Sequence, residues 1–139
     1  MNSAYEKQKE RQEISKTFHL SDNELENLLT YISSIRNFCA HGNRLYCYRS
    51  KRPLFDTPIH KNMGIKKTAK GEYAYGKRDL FAVMIALKLT ISKTEFRRLV
   101  KEVDIALKNL YLRTTVLQES DILESIGFPT DWKDLLLQQ

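Results

Sequence analysis

Three residues able to carry chemistry stand within one run, Arg36-Asn37-Phe38-Cys39-Ala40-His41. A histidine with a near-neutral pKa can take a proton and return it. An arginine offers two parallel N–H groups, which suit a carboxylate or a phosphate. Asn37 can orient either partner, and Arg44, three residues past His41, adds a cation. Each residue also has a plainer use. His41 beside Gly42 suits a cap favoured by the dipole at a helix end. Arg36 suits a buried ion pair with one Asp or Glu. The pair of residues, with a basic segment directly downstream, favours function over these uses.

That segment is where the charge of the chain sits. The formal net charge is +6, yet residues 44–78 alone carry +8 and the remainder −2. A local field of this sign suits a polyanion, and nucleic acid is the commonest one in a cytoplasm. Arg44, Arg49, Lys51, Arg52, Lys66 and Lys67 are the candidate RNA contacts. Tyr46, Tyr48, Tyr73 and Tyr75 interleave with the cations as in single-strand binders, although packing within a hairpin explains them nearly as well. His19 and His60 have no comparable setting and read as surface residues. Cys39 and Cys47 are too far apart for a zinc signature. Cys39 is expected to be a small buried apolar residue, and no metal or other cofactor is expected.

The elements that position these residues read as helices. With 139 residues, 42% of them hydrophobic and 29% charged, the chain fits a single domain over 1–139 with a modest core. No stretch approaches the roughly 18 to 20 apolar residues of a membrane span, so no membrane contact is expected. No apolar leader follows the start, which gives a cytoplasmic location as the expectation. Residues 1–17 form a polar helix with few apolar anchors, of the kind that leans on a neighbour. Ser21 and Glu24 make a capping box that opens a second helix from Asp22 to about His41, stopped by Gly42. Residues 42–78 hold most of the glycines and two of the three prolines. They predict a long basic loop, or a small hairpin around Ile65 to Tyr75. Asp79 to Ile91 is apolar on nearly every side, which marks a central helix. An amphipathic helix follows from Thr94 to about Leu112, then a short helix capped by Ser120 and stopped at Gly127. Pro129 and Thr130 start a last turn with Trp132. The fold class is all-α, a bundle of about four main helices with a basic insertion at 42–78.

At about 100° per residue, with Leu25 at zero, Leu28, Leu29, Ile32, Ile35 and Cys39 fall between about −80° and +40°. Arg36 falls at about +20°, inside this apolar stripe, where a guanidinium needs a partner. That partner is either an internal carboxylate or a phosphate arriving at a cleft or interface. Asn37 falls at about 120° and His41 at about 160°, so one helix does not aim Arg36 and His41 at the same point. Tyr31 and Phe38 are expected to pack rather than to stack on bases.

The longer run Arg36-Asn37-Phe38-Cys39-Ala40-His41-Gly42-Asn43-Arg44-Leu45-Tyr46 resembles the signature of the Abi-like (abortive infection) family. Phe18, Leu20, Leu25, Leu28 and Leu29 resemble that family's approach to the signature, and Ile126-Gly127-Phe128-Pro129 with Trp132 its closing motif. Abi-like proteins are placed with HEPN domains, so the resemblance implies an HEPN-like helical bundle. It assigns Arg36, Asn37 and His41 as catalytic residues. Family members are longer at the N-terminus, which implies that this chain corresponds to the C-terminal portion of the architecture. HEPN nucleases work without metal, as dimers whose two motifs meet in one cleft. The resemblance therefore implies a homodimer cleaving single-stranded RNA in an anti-phage or toxin-like system, with an antitoxin or other partner protein as a further expectation. Two other classes compete. One is a non-catalytic HEPN module binding RNA, nucleotide or a partner protein through 44–78; the other is a plain dimerisation bundle with Arg36 paired to an acid across the interface.

Overall fold

A computed structural model of the chain describes residues 3–17, 19–40 and 48–138. Among the described residues there are seven helices and no strand. They are α1 (Ser3–Thr17), α2 (Asp22–Ala40), α3 (Pro58–Asn62), α4 (Leu80–Thr90), α5 (Lys93–Arg113), α6 (Glu119–Ile126) and α7 (Trp132–Leu137). The all-α expectation holds, with four longer helices and three short ones added to the connections.

Local chemistry starts and stops these helices. Ser21 and Glu24 form the expected capping box: Ser21 N–H donates to Glu24 Oε1 at 3.0 Å, and Glu24 N–H donates to Ser21 Oγ at 3.2 Å. Asp79 caps α4 by accepting from Ala82 N–H at 3.0 Å. Ser92, two residues before the expected start of α5, caps that helix by accepting from Glu95 N–H. At the start of α6 the partners are Gln118 and Asp121, not Ser120. Gly127 ends α6 in the left-handed region (φ 79°), where a side chain is disfavoured.

The core gathers around α4. Phe81, Ala82, Met84, Ile85 and Ala86 of that helix are all buried, as its all-round apolar pattern requires. Leu28 and Tyr31 of α2, Phe96 and Val100 of α5, and Leu135 and Leu136 of α7 close over it. Phe128 and Trp132 seal the end, with ring centroids 5.2 Å apart, and Phe128 also meets Phe81 at 5.5 Å. Each large side chain buried in this way contributes about 1.5–3 kcal/mol of transfer free energy. Toward its end α5 leaves the core: Leu107 is still buried, but Leu110 and Leu112 are exposed. Every described side chain of α1 is exposed, in keeping with its polar sequence.

The basic insertion is more ordered than a loop reading suggests. A tight antiparallel turn joins Lys66 to Ala74, with a bridge between Lys67 and Tyr73 and with Gly71 at φ 82°. The rest is anchored on a buried imidazole. His60 is fully buried, which corrects its reading as a surface residue. Its Nδ1 accepts from Thr57 N–H at 3.0 Å, and its Nε2–H donates to Gly76 O at 2.6 Å. Tyr73 stacks on the ring, with centroids 5.2 Å apart. The histidine thus ties the start of α3 to the segment that leads into α4.

Candidate nucleic-acid interface on the second helix

α2 presents its motif residues to solvent. Arg36 and Asn37 are both exposed in its last turns. The exposure of Arg36 corrects the expectation of a guanidinium within a buried stripe. Tyr31 is buried and Phe38 half-buried, and both meet the Tyr48 ring edge-on, at 6.3 and 4.9 Å between centroids. Recruiting these two aromatics turns the buried arc of α2 toward them and away from Leu29, Arg36 and Cys39. Cys39 is accordingly an exposed free thiol, not the small buried residue expected from its place in the stripe. Among the described residues Arg36 forms no ion pair, which removes an internal carboxylate there as the reason for its presence. His41 and Arg44, with Tyr46 and Cys47, lie outside the described residues.

The cations of the basic segment divide into two groups. Some are struts. Arg49 donates from its guanidinium to Tyr48 O at 2.7 Å and to Ser125 O at 3.0 Å, joining the segment to α6. Lys77 is buried, donating to Leu54 O and pairing with Asp56 at 2.5 Å. The pairing holds the Asp56 carboxyl below its ordinary range. Arg78 pairs with Glu72 at 3.2 Å and donates to the carbonyls of Ser50 and Lys51. The other group faces water. Lys51, Arg52 and Lys66 are exposed, and so is Lys67, whose ammonium sits 5.0 Å from the centre of the Tyr73 ring. Of the six predicted RNA contacts, Lys51, Arg52, Lys66 and Lys67 therefore remain available, while Arg49 is held by carbonyls. Tyr48 and Tyr73 follow the packing alternative: Tyr48 is buried, and Tyr73 stacks on a histidine.

One feature of this region was not anticipated from the sequence. Between α2 and the segment Tyr48–Pro53 runs a groove of about 580 Å³. Glu26, Thr30 and Ser34 line one wall and Arg49, Lys51 and Arg52 the other, with Tyr31 and Tyr48 at the floor. The signal was present as a polar row, Asn23, Glu26 or Asn27, Thr30, Ser34 and Asn37, recurring every three or four residues along α2. Its reading required knowing which segment lies opposite.

Residues 1–47 match the family model described as Abi-like protein. This stretch of the chain is similar to the Abi-like family. The matched stretch takes in α1, α2 and the whole run from Arg36 to Tyr46, and it ends before the groove's basic wall. No curated protein and no solved structure matches the chain. Among the described residues no cluster of His, Cys, Asp and Glu is placed to hold a metal ion. No helix among them is long and apolar enough to cross a membrane.

Proposed function

We propose that the chain cleaves single-stranded RNA without a metal ion, as part of an abortive-infection response to phage. Two copies would join their Arg36, Asn37 and His41 in one HEPN-type site. The observation that carries this reading is the Abi-like match across the entire motif, on a helix that leaves Arg36 and Asn37 open to solvent. The proposal of two copies rests on the helical spacing of the sequence, since at about 100° per residue positions 36 and 41 of a helix would point about 140° apart. Leu29 is 51% exposed, and with Cys39 and Ala40 it surrounds Arg36 on the same open face of α2. A partly apolar face of this kind supports contact with a second copy.

The chemistry needs only the chain's own groups. His41 takes the proton from a ribose 2′-OH, whose oxygen attacks the adjacent phosphorus. Arg36 stabilises the charge that develops on the phosphoryl oxygens. The P–O5′ bond breaks, a protonated histidine returns a proton to the departing oxygen, and the products carry a 2′,3′-cyclic phosphate and a 5′-OH. Asn37 orients the histidine or the phosphate. Purified protein in EDTA is expected to cleave single-stranded RNA to these ends, and His41→Ala to lower the rate by about 10²–10⁴-fold. Equal cleavage by wild type and variant would remove the proposal. Salt-sensitive RNA binding without any turnover would instead favour a non-catalytic RNA-binding module.

A further inference from the structure

We infer that the groove between α2 and Tyr48–Pro53 holds one nucleotide of single-stranded RNA beside the scissile phosphate, and that it sets which base is accepted there. The inference takes RNA as the ligand from the function proposed above, and adds a site and a specificity.

The groove is preformed. Its outer wall is pinned at three places: Ser50 N–H donates to Arg78 O at 2.8 Å, Leu54 N–H donates to Lys77 O at 2.7 Å, and Asn27 spans the floor. The Asn27 amide donates to Pro53 O at 3.2 Å and accepts from Phe55 N–H at 2.8 Å, which fixes the separation of the walls. The volume of about 580 Å³ falls within the roughly 300–1,000 Å³ of small-ligand pockets. At the floor the Tyr48 hydroxyl is buried with no well-formed hydrogen bond, although the Tyr31 hydroxyl and the Ser50 side chain are close enough to influence it.

The two walls differ in chemistry. Lys51 and Arg52 are exposed cations, with no ion pair among the described residues, and they suit a phosphate. Across from them, Glu26 brings a carboxylate and Thr30 and Ser34 bring hydroxyls. A ligand with only acidic groups would be repelled by Glu26. A nucleotide answers both walls, with its phosphate toward Lys51 and Arg52 and the N–H donors of a base edge toward Glu26. The position of the groove carries the argument further. Ser34 and Asn37 are three residues apart on the same face of α2, so a strand lying in the groove is led directly to the motif.

The test uses the full chain carrying His41→Ala, so that binding is read without cleavage, and short fluorescent single-stranded RNAs differing at one base. The double change Lys51→Glu, Arg52→Glu is expected to weaken binding at least about tenfold, and to reduce the slope of log K against log salt by about 1.4. Glu26→Gln is expected to leave that slope unchanged and to alter the order of preference among the four bases. Circular dichroism of each variant checks the fold. Failure of wild type to bind RNA at low salt would overturn the inference, and so would unchanged binding and base preference in all groove variants. The two proposals separate cleanly. Cleavage by wild type with indifferent groove variants sinks the groove alone, whereas groove-dependent binding without turnover sinks the nuclease alone.

Discussion

Gly127→Ala is expected to lower stability by about 2–5 kcal/mol, combining left-handed backbone strain of roughly 1–2 kcal/mol with overpacking of about 1–3 kcal/mol. Gly127 ends α6 at φ 79° and ψ 27°, where Gly127 N–H reaches Glu124 O at 3.1 Å and Phe128 N–H reaches Leu123 O at 2.8 Å. An alanine Cβ at this position would lie 2.4 Å from the Asp79 Cβ and 2.8 Å from its carboxyl carbon. Asp79 cannot easily yield. Its carboxylate caps α4 through Ala82 N–H and also accepts from Gly76 N–H at 3.1 Å, while its carbonyl accepts from the Tyr31 hydroxyl at 3.1 Å. One added methyl therefore presses on the junction of α2, α4 and α6. Gly71 is the control. It has φ 82° but nothing within 4 Å of an added Cβ, so Gly71→Ala should bring only the backbone cost. Thermal unfolding should show Gly127→Ala melting roughly 10 °C below wild type and Gly71→Ala only a few degrees below. Equal melting of the two variants would contradict the packing argument.

His60→Ala should destabilise the protein by about 3 kcal/mol or more at pH 7, by opening a cavity and leaving Thr57 N–H and Gly76 O without partners. The loss should depend on pH in a stated direction. The hydrogen bonds require a neutral ring with the proton on Nε2, because Nδ1 accepts from Thr57 N–H and Gly76 O can only accept. Burial pushes the His60 pKa down from its ordinary 6.5. A depressed histidine contributes stability that is present above the unfolded pKa and lost as pH falls below it. The deficit of His60→Ala against wild type should thus shrink from pH 7 toward pH 5.

Asp79 behaves in the opposite sense. Burial raises its carboxyl to about 6, against hydrogen bonds from Ala82 and Gly76 that favour the charged form. Its contribution is present below an unfolded pKa near 3.8 and lost as pH rises through about 6, a swing of up to about 3 kcal/mol. Asp79→Asn should therefore look worst beside wild type at pH 4 and improve toward pH 7. Urea midpoints at pH 4, 5, 6 and 7 would read both trends. If the two variants run parallel to wild type across that range, neither group titrates as the geometry requires.

The parts of the fold legible in the sequence are those whose causes are local. The Ser21 and Glu24 box needs only residues three apart, and the stop at Gly127 only a residue free to turn left. The all-round apolar run from Leu80 to Leu89 forces α4 to the centre whatever its neighbours are. The likeness to the Abi-like family was legible for a related reason, since Arg36, Asn37 and His41 lie within six positions of the chain. Residues whose environment is made by distant segments were read less well. His60 looked like a surface residue because Gly76 and Tyr73, which enclose it, are 13 to 16 positions away. Arg36 and Cys39 looked buried because helical angles locate a face but do not say what lies opposite it.

The helix under Arg36 and Asn37 was thus specified by residue types and spacing, since backbone hydrogen bonds and caps act within a few positions. The direction in which that helix faces was settled by Tyr48, which docks on Tyr31 and Phe38 from beyond the end of α2. The same docking sets the basic segment across from the polar row of α2 and makes a groove of two separate stretches of charge and hydroxyls. Burial is a property of the assembled core, and a pattern along one helix cannot supply it.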